Sequence, residues 1–165
     1  MKHLLLIRHA KSSWKNPELK DHDRPLNNRG KRNAPEMALR LLSANIKADF
    51  VLSSSSRRTV DTANLICAEY PVEIKKSMNL FHCSASELIQ EIRNTASRIN
   101  SLFVLGHEPG ISATVFKLTG VSIAHFPTCG IASIIFNEDH WKNIDTKKGE
   151  LEWFDYPKNS NSPFI

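Results

Sequence analysis

The stretch that most constrains this chain is Leu4-Leu5-Leu6-Ile7-Arg8-His9-Ala10-Lys11-Ser12. Four consecutive apolar residues are too few for a core helix and read as a strand buried on both faces. The run breaks off at an arginine and a histidine, which therefore stand at the strand's carboxyl end. In open α/β sheets, ligands bind at that edge. Lys11, Ser12 and Ser13 follow, and each can bond an anion. A guanidinium, an imidazole able to act as nucleophile and hydroxyls on one strand-end loop suit phosphate chemistry.

The rest of the chain repeats the pattern. Asp49 to Ser53 is a second short strand that breaks into Ser54-Ser55-Ser56-Arg57-Arg58-Thr59, and Leu102 to Gly106 is a buried strand ending in His107-Glu108-Pro109-Gly110. Val72 to Lys76, Ile131 to Phe136 and Glu150 to Tyr156 complete the strands. Helical spacing lies between them. Ala34, Met37, Ala38, Leu41 and Leu42 form one face, with Pro35 at a first turn or a kink. Val60, Ala63, Cys67 and Tyr70 form the next, closed by Pro71. Leu88, Ile89, Ile92 and Ala96 follow, begun at Ser84 or Ser86. Ile111, Val115 and Leu118 form the last, stopped by Gly120. Residues 11–27 hold Pro17 and Pro25 without periodicity and read as a long loop, a length that usually carries function. The alternation predicts a single α/β domain over residues 1–156, a three-layer αβα sandwich on a mainly parallel mixed sheet, with a loosely ordered tail at 157–165.

Charge is uneven. The net charge is +5, and residues 1–40 hold ten Lys/Arg against four acids, so the excess sits in the quarter that also carries Arg8 and His9. A basic rim attracts a phosphate or a phosphoprotein. It does not suit an extended polynucleotide, because Trp14 is the only non-histidine aromatic before Phe50 and base stacking needs more. No apolar stretch approaches the roughly 20 residues of a membrane span, and Leu4 to Ile7 is too short for a signal-peptide core. Three unpaired-looking cysteines, Cys67, Cys83 and Cys129, fit free thiols in a reducing compartment, so the cytoplasm is the expected location.

Singly, each strand end has a plainer reading: a surface histidine, a serine-rich helix cap, a tight Gly-His-Glu-Pro-Gly turn. Their recurrence changes the weight, because parallel strands of one sheet deliver all three to the same edge. Together they resemble a known family. Arg8-His9-Ala10-Lys11-Ser12 is similar to the Arg-His-Gly/Ala signature of the histidine phosphatase (phosphoglycerate-mutase-like) superfamily, in the form usual for its small SixA-type phosphohistidine phosphatases. Asp23-Arg24-Pro25-Leu26-Asn27-Asn28-Arg29-Gly30 resembles that branch's Arg-Pro-Leu…Arg-Gly segment. Ser53 to Thr59 resembles its Ser-Ser-Pro-Ala-x-Arg-Thr/Ala segment. Val104 to Gly110 resembles its Gly-His-Asn-Pro-Gly turn.

The resemblance implies a phosphoglycerate-mutase-like fold and a metal-independent phosphatase with no cofactor. It implies His9 as the nucleophile, forming a covalent phosphohistidine, with Arg8, Arg58 and His107 on the phosphoryl oxygens and Ser12 as a further phosphate contact. Arg57, at the family's variable position, is expected to face solvent. Larger members carry an acid where this chain has Leu80-Phe81-His82-Cys83-Ser84, so His82 is the candidate proton donor. Glu108 in place of the usual Asn is expected to raise the basicity of His107. An imidazole leaving group needs less help than an alkoxide, which favours phosphohistidine in a phosphoprotein as substrate at an open, shallow site without a large lid. The alternatives are a small-molecule phosphomonoesterase and a non-catalytic phosphate-binding protein.

Overall fold

The computed structural model describes all 165 residues. In chain order the elements are β1 (Lys2–Arg8), α1 (Asn28–Ser43), β2 (Phe50–Ser54), α2 (Arg57–Ile66), β3 (Ile74–Ser77), α3 (Ala85–Arg93), β4 (Ser101–Gly106), α4 (Gly110–Thr119), β5 (Ile131–Phe136) and β6 (Glu150–Asp155). The strands form one six-stranded sheet in the order β3-β2-β4-β1-β5-β6. β1, β2, β3 and β4 run parallel, while β5 and β6 run antiparallel to their neighbours. β1 lies against β4 with Leu4 opposite Leu102 and Arg8 opposite Gly106.

Alternation along β1 builds both cores. Leu4 and Leu6 face one side with Leu88, Ile92, Ile111 and Val115 of α3 and α4. Leu5 and Ile7 face the other with Ala34, Met37, Leu41, Ala63 and Ile66 of α1 and α2. All four β1 side chains are fully buried, each stabilising by roughly 1.5–3 kcal/mol. A central strand covered on both faces must read as an unbroken apolar run, and the expected αβα sandwich follows.

Element edges differ from expectation where polar residues hide the period. α1 begins at Asn28, so Pro35 lies inside it rather than in its first turn. Asn27 supplies the start, its Oδ1 accepting from the Gly30 amide at 2.9 Å. Gly30 is required there by space, since a Cβ would run into the Lys11 carbonyl oxygen. α2 stops at Ile66 and α3 at Arg93, leaving Tyr70 and Ala96 outside. Ser84, not Ser86, opens α3, through a reciprocal capping box with Glu87.

The 11–27 loop is closed at its neck. The Asn27 amide donates to the Lys11 carbonyl at 2.9 Å and the Ser13 amide to the Pro25 carbonyl at 2.8 Å. A short 3-10 turn at Asp21–Asp23 shapes the far side. The tail departs from the expected looseness. Asp155, fully buried at the end of β6, accepts from Arg40 Nη1 at 3.0 Å, Ser162 Oγ at 2.7 Å and Asn159 Nδ2 at 2.9 Å. Arg40 also donates to the Tyr156 and Pro157 carbonyls, and Phe164 packs edge-on against Trp153. A buried carboxylate at the strand end gives the following residues something to satisfy. Arg40→Ala leaves that carboxylate without its cation and is expected to cost about 3–5 kcal/mol in a urea-unfolding experiment; a loss below about 1 kcal/mol would mean the pair does not hold the tail.

Candidate active site

The parallel run β2-β4-β1 brings the three polar strand ends to one edge of the sheet. Arg8 and His9 leave β1, Arg58 sits in the first turn of α2 just after β2, and His107 follows β4. His9, Arg58 and His107 are buried, with 8%, 3% and 5% of their surfaces exposed. Their rings and guanidinium are in direct contact. Arg58 Nε donates to His9 Nε2 at 3.3 Å, and Arg58 Nη2 lies 3.3 Å from His107 Nδ1. The two imidazole centroids are 5.2 Å apart.

The hydrogen bonds fix both tautomers. His9 Nδ1 lies 2.8 Å from the Ala10 carbonyl, which can only accept, so Nδ1 carries the proton and Nε2 offers its lone pair. Ala10 is itself held, its amide donating to Thr62 Oγ1 at 3.0 Å. Arg58 can only donate, so His107 Nδ1 accepts and Nε2–H donates to Ser54 Oγ at 2.8 Å. Burial pushes the His9 pKa down to about 4; the Ala10 carbonyl opposes this, and the charges of Arg58, Arg8 and Arg24 add to it. His107 is pushed down to about 3, chiefly by burial and then by His9, Arg58 and His82, with Asp21 opposing. Both rings are therefore neutral at pH 7.

Asp21, which sequence reasoning missed, closes the arrangement. Arg58 Nη1 donates to its carbonyl at 2.6 Å and Nη2 to its Oδ2 at 3.2 Å. Arg24 Nη1 donates to Oδ1 at 2.9 Å, and His82 Nε2 sits 2.8 Å from Oδ2. Partial burial works to raise the Asp21 carboxyl, but the bonds from His82 and Arg24 and the charge of Arg58 prevail and hold it far below the usual range. It is ionised, and so orients cations rather than donating a proton. The 11–27 loop thus sets a half-exposed carboxylate beside Arg58. Two acids, Asp21 and Asp23, flank His22 in sequence, and nothing in their pattern tells which one turns inward.

The remaining candidates divide. His82, half exposed, stands at the rim with its ring 4.9 Å from that of His107. Gly110 lets it come so close, because a Cβ there would meet the Cys83 carbonyl oxygen at 2.7 Å. Ser12 is buried and its hydroxyl accepts from Arg24 Nη2 at 2.5 Å, so it steadies the Asp21–Arg24 pair instead of facing the pocket. Arg8 donates from Nη1 to the Phe126 carbonyl at 2.7 Å and makes no bond to His9, Arg58 or His107. Arg57 is exposed, as expected. Glu108 does not serve His107: its carboxylate takes the Ser112 amide at 2.8 Å and hydroxyl at 2.7 Å, fastening the start of α4. Ser54 was read only as a helix cap, yet its hydroxyl holds His107.

Two neutral imidazoles meet one guanidinium here, and the Arg58 donors suit a phosphoryl group. The chain belongs to the histidine phosphatase superfamily (branch 1), whose model matches residues 4–84. An uncharacterised protein of Mycobacterium tuberculosis is 32% identical over 163 residues, covering 92% of this chain and all of that one. In fold, the chain is similar to a candidate phosphohistidine phosphatase SixA from Nakamurella multipartitia, with TM-score 0.84 at 22% identity over 96% of this chain and 97% of that one. It is also similar to a protein histidine phosphatase SixA complexed with tungstate, with TM-score 0.80 at 22% identity over 94% and 97%. Membership of the family supports phosphoryl-group hydrolysis. No helix is long and apolar enough to cross a membrane.

The two depressed imidazoles set a pH dependence. Unfolded, they titrate near 6.5; folded, near 4 and 3. As pH falls below 6.5 the unfolded chain takes up protons that the folded chain refuses, so their contribution to stability is complete above 6.5 and drains away as pH drops through about 4 for His9 and about 3 for His107. In an NMR titration the ring resonances of His9 and His107 are expected to stay flat between about pH 8 and 5, and a midpoint near 6.5 for either ring would contradict the buried geometry.

Proposed function

We propose that this chain is a phosphatase that hydrolyses phosphohistidine in a protein, through a covalent phosphohistidine on His9 and without a metal ion. The observation that carries the reading is the His9 ring: its Nδ1 proton is tied to the Ala10 carbonyl, and its Nε2 lone pair points at Arg58. In the first step that lone pair attacks phosphorus. The new P–Nε2 bond forms as the substrate's P–N bond breaks; the electron pair leaves with the substrate imidazole, which carries a proton on its other ring nitrogen and so departs neutral. The Ala10 carbonyl supports the positive charge that His9 acquires. In the second step water attacks the same phosphorus, the P–Nε2 bond breaks, and His9 returns to its neutral form with phosphate released.

Transfer between two imidazoles exchanges like for like, so a strong proton donor is not demanded. Positioning and charge stabilisation carry most of the barrier. The phosphoryl oxygens take over the Arg58 donors that now reach His9 and His107, as a bidentate fork does best. Arg8 lends its charge from the same strand end, one residue before His9. His107, no longer bonded to Arg58 and facing an anion, becomes able to hold a proton at Nδ1 and donate it to a phosphoryl oxygen. Asp21 keeps Arg58 and Arg24 in place. His82, backed by Asp21, is the group nearest the leaving side that can supply a proton, in an assisting role.

Steady-state assays on a phosphohistidine protein beside a panel of phosphate esters test the reading, with higher kcat/KM expected for the phosphoprotein. His9→Ala should abolish turnover, and rapid quench of the wild type should trap acid-labile, base-stable phosphate on His9. His82→Ala should slow the phosphoprotein reaction by less than the roughly hundredfold that marks loss of a general acid–base group. Unimpaired turnover by His9→Ala would end the mechanism, and efficient ester hydrolysis that collapses in His82→Ala would favour the phosphomonoesterase.

A further inference from the structure

The site described above lies over β2, β4 and β1. The other half of the same sheet edge, over β1, β5 and β6, holds a separate cleft of about 370 Å³. Its walls come from Arg8 at the end of β1, Lys11, the first turns of α1 at Arg29 and Asn33, the segment leading into β5, and the Tyr156–Lys158 segment after β6. None of its ten lining residues is acidic. Arg8, Lys11, Arg29 and Lys158 form no ion pair within the chain. Of the nearby acids, Glu36 is paired with Arg40 at 2.6 Å, and Glu108, turned to Ser112, acts on Arg8 by charge alone and forms no ion pair with it. Arg8 Nε is buried and has no hydrogen-bond partner.

Four unpaired cations around one concave space repel one another, and leaving them so costs stability. Lys158 need not be there at all: the tail that carries it is fastened by the buried Asp155, so the fold holds a fourth positive charge over the cleft. Arg8 is the shared wall, its backbone next to His9 and its side chain lining the cleft. A group seated there lies beside the strand end that carries His9.

We infer that the cleft over β1, β5 and β6 is a second anion subsite, which takes carboxylate side chains flanking the phosphohistidine of an acidic protein substrate. The inference deepens the proposed function and rests on it for the identity of the partner. The volume, near the lower end for small-ligand sites, suits two or three carboxylates rather than a folded element. Charges at such a rim act on encounter and orientation, so their loss falls on KM rather than kcat.

Calorimetric titration with a hexaglutamate peptide tests the cleft directly. Arg29→Glu/Lys158→Glu should weaken binding by at least about tenfold, while Lys47→Glu/Lys142→Glu, the same charge change toward the opposite sheet edge, should not. In kinetics the first double variant should keep kcat/KM on phosphoramidate, which has no acidic flank, within about twofold and lose about tenfold on an acidic phosphohistidine protein through KM. Equal peptide binding by all three proteins would overturn the subsite. Tight binding of inorganic tripolyphosphate with none of hexaglutamate would overturn the protein source in favour of a phosphorylated small molecule. Should the wild type turn over neither P–N substrate, the proposed function falls, and the calorimetry still decides the cleft.

Discussion

The site depends on one ion pair, that between Asp21 and Arg58. Arg58 is almost wholly buried and must meet two imidazoles that can offer it only lone pairs. A guanidinium in that position is tolerable because Asp21 reaches over it with both a carbonyl and a carboxylate. The same carboxylate fastens Arg24, which fastens Ser12, so the loop, the helix and the strand end are ordered by a single anion.

Neutral histidines are the second consequence of this arrangement. Both imidazoles are held unprotonated by burial and neighbouring cations rather than by a base. The cost appears as stability lost in acid. The compensating contact is small, one carbonyl from the adjacent residue, and it decides which nitrogen faces the pocket.

The fold was legible because β1 is covered on both sides. Leu4 to Ile7 cannot be an amphipathic surface element, and the other short apolar runs then fall into a parallel sheet whose edge collects His9, Arg58 and His107. What the sequence withheld is physical in origin. Helix starts at Asn28 and Ser84 depend on side chains bonding backbone amides, and Arg29, Gly30 and Lys31 carry no apolar period to mark them. Asp21 is one acid in a polar loop, and its inward turn depends on Arg58, 37 residues away. Ser54 looked like a cap because the histidine it holds comes from a different strand. Ser12 and Glu108 looked like site residues because they adjoin the motifs, yet their side chains turn to Arg24 and Ser112.

The closed neck of the 11–27 loop separates two kinds of change. Lys11 and Asn27, with Ser13 and Pro25, hold the loop's two ends together by backbone bonds, and Gly30 lets the helix seat against that neck without an intervening side chain. Beyond the neck the loop meets the rest of the chain through Asp21, on Arg58 and His82, and through His22, on Ser55. Lengthening it costs an entropy that grows with the logarithm of its size, while the strand end and its histidine stay where they are. The stretch between the neck and Asp21 is therefore a replaceable face: it can change in length and sequence while Asp21 stays on Arg58 and the strand end that carries His9 stays in place.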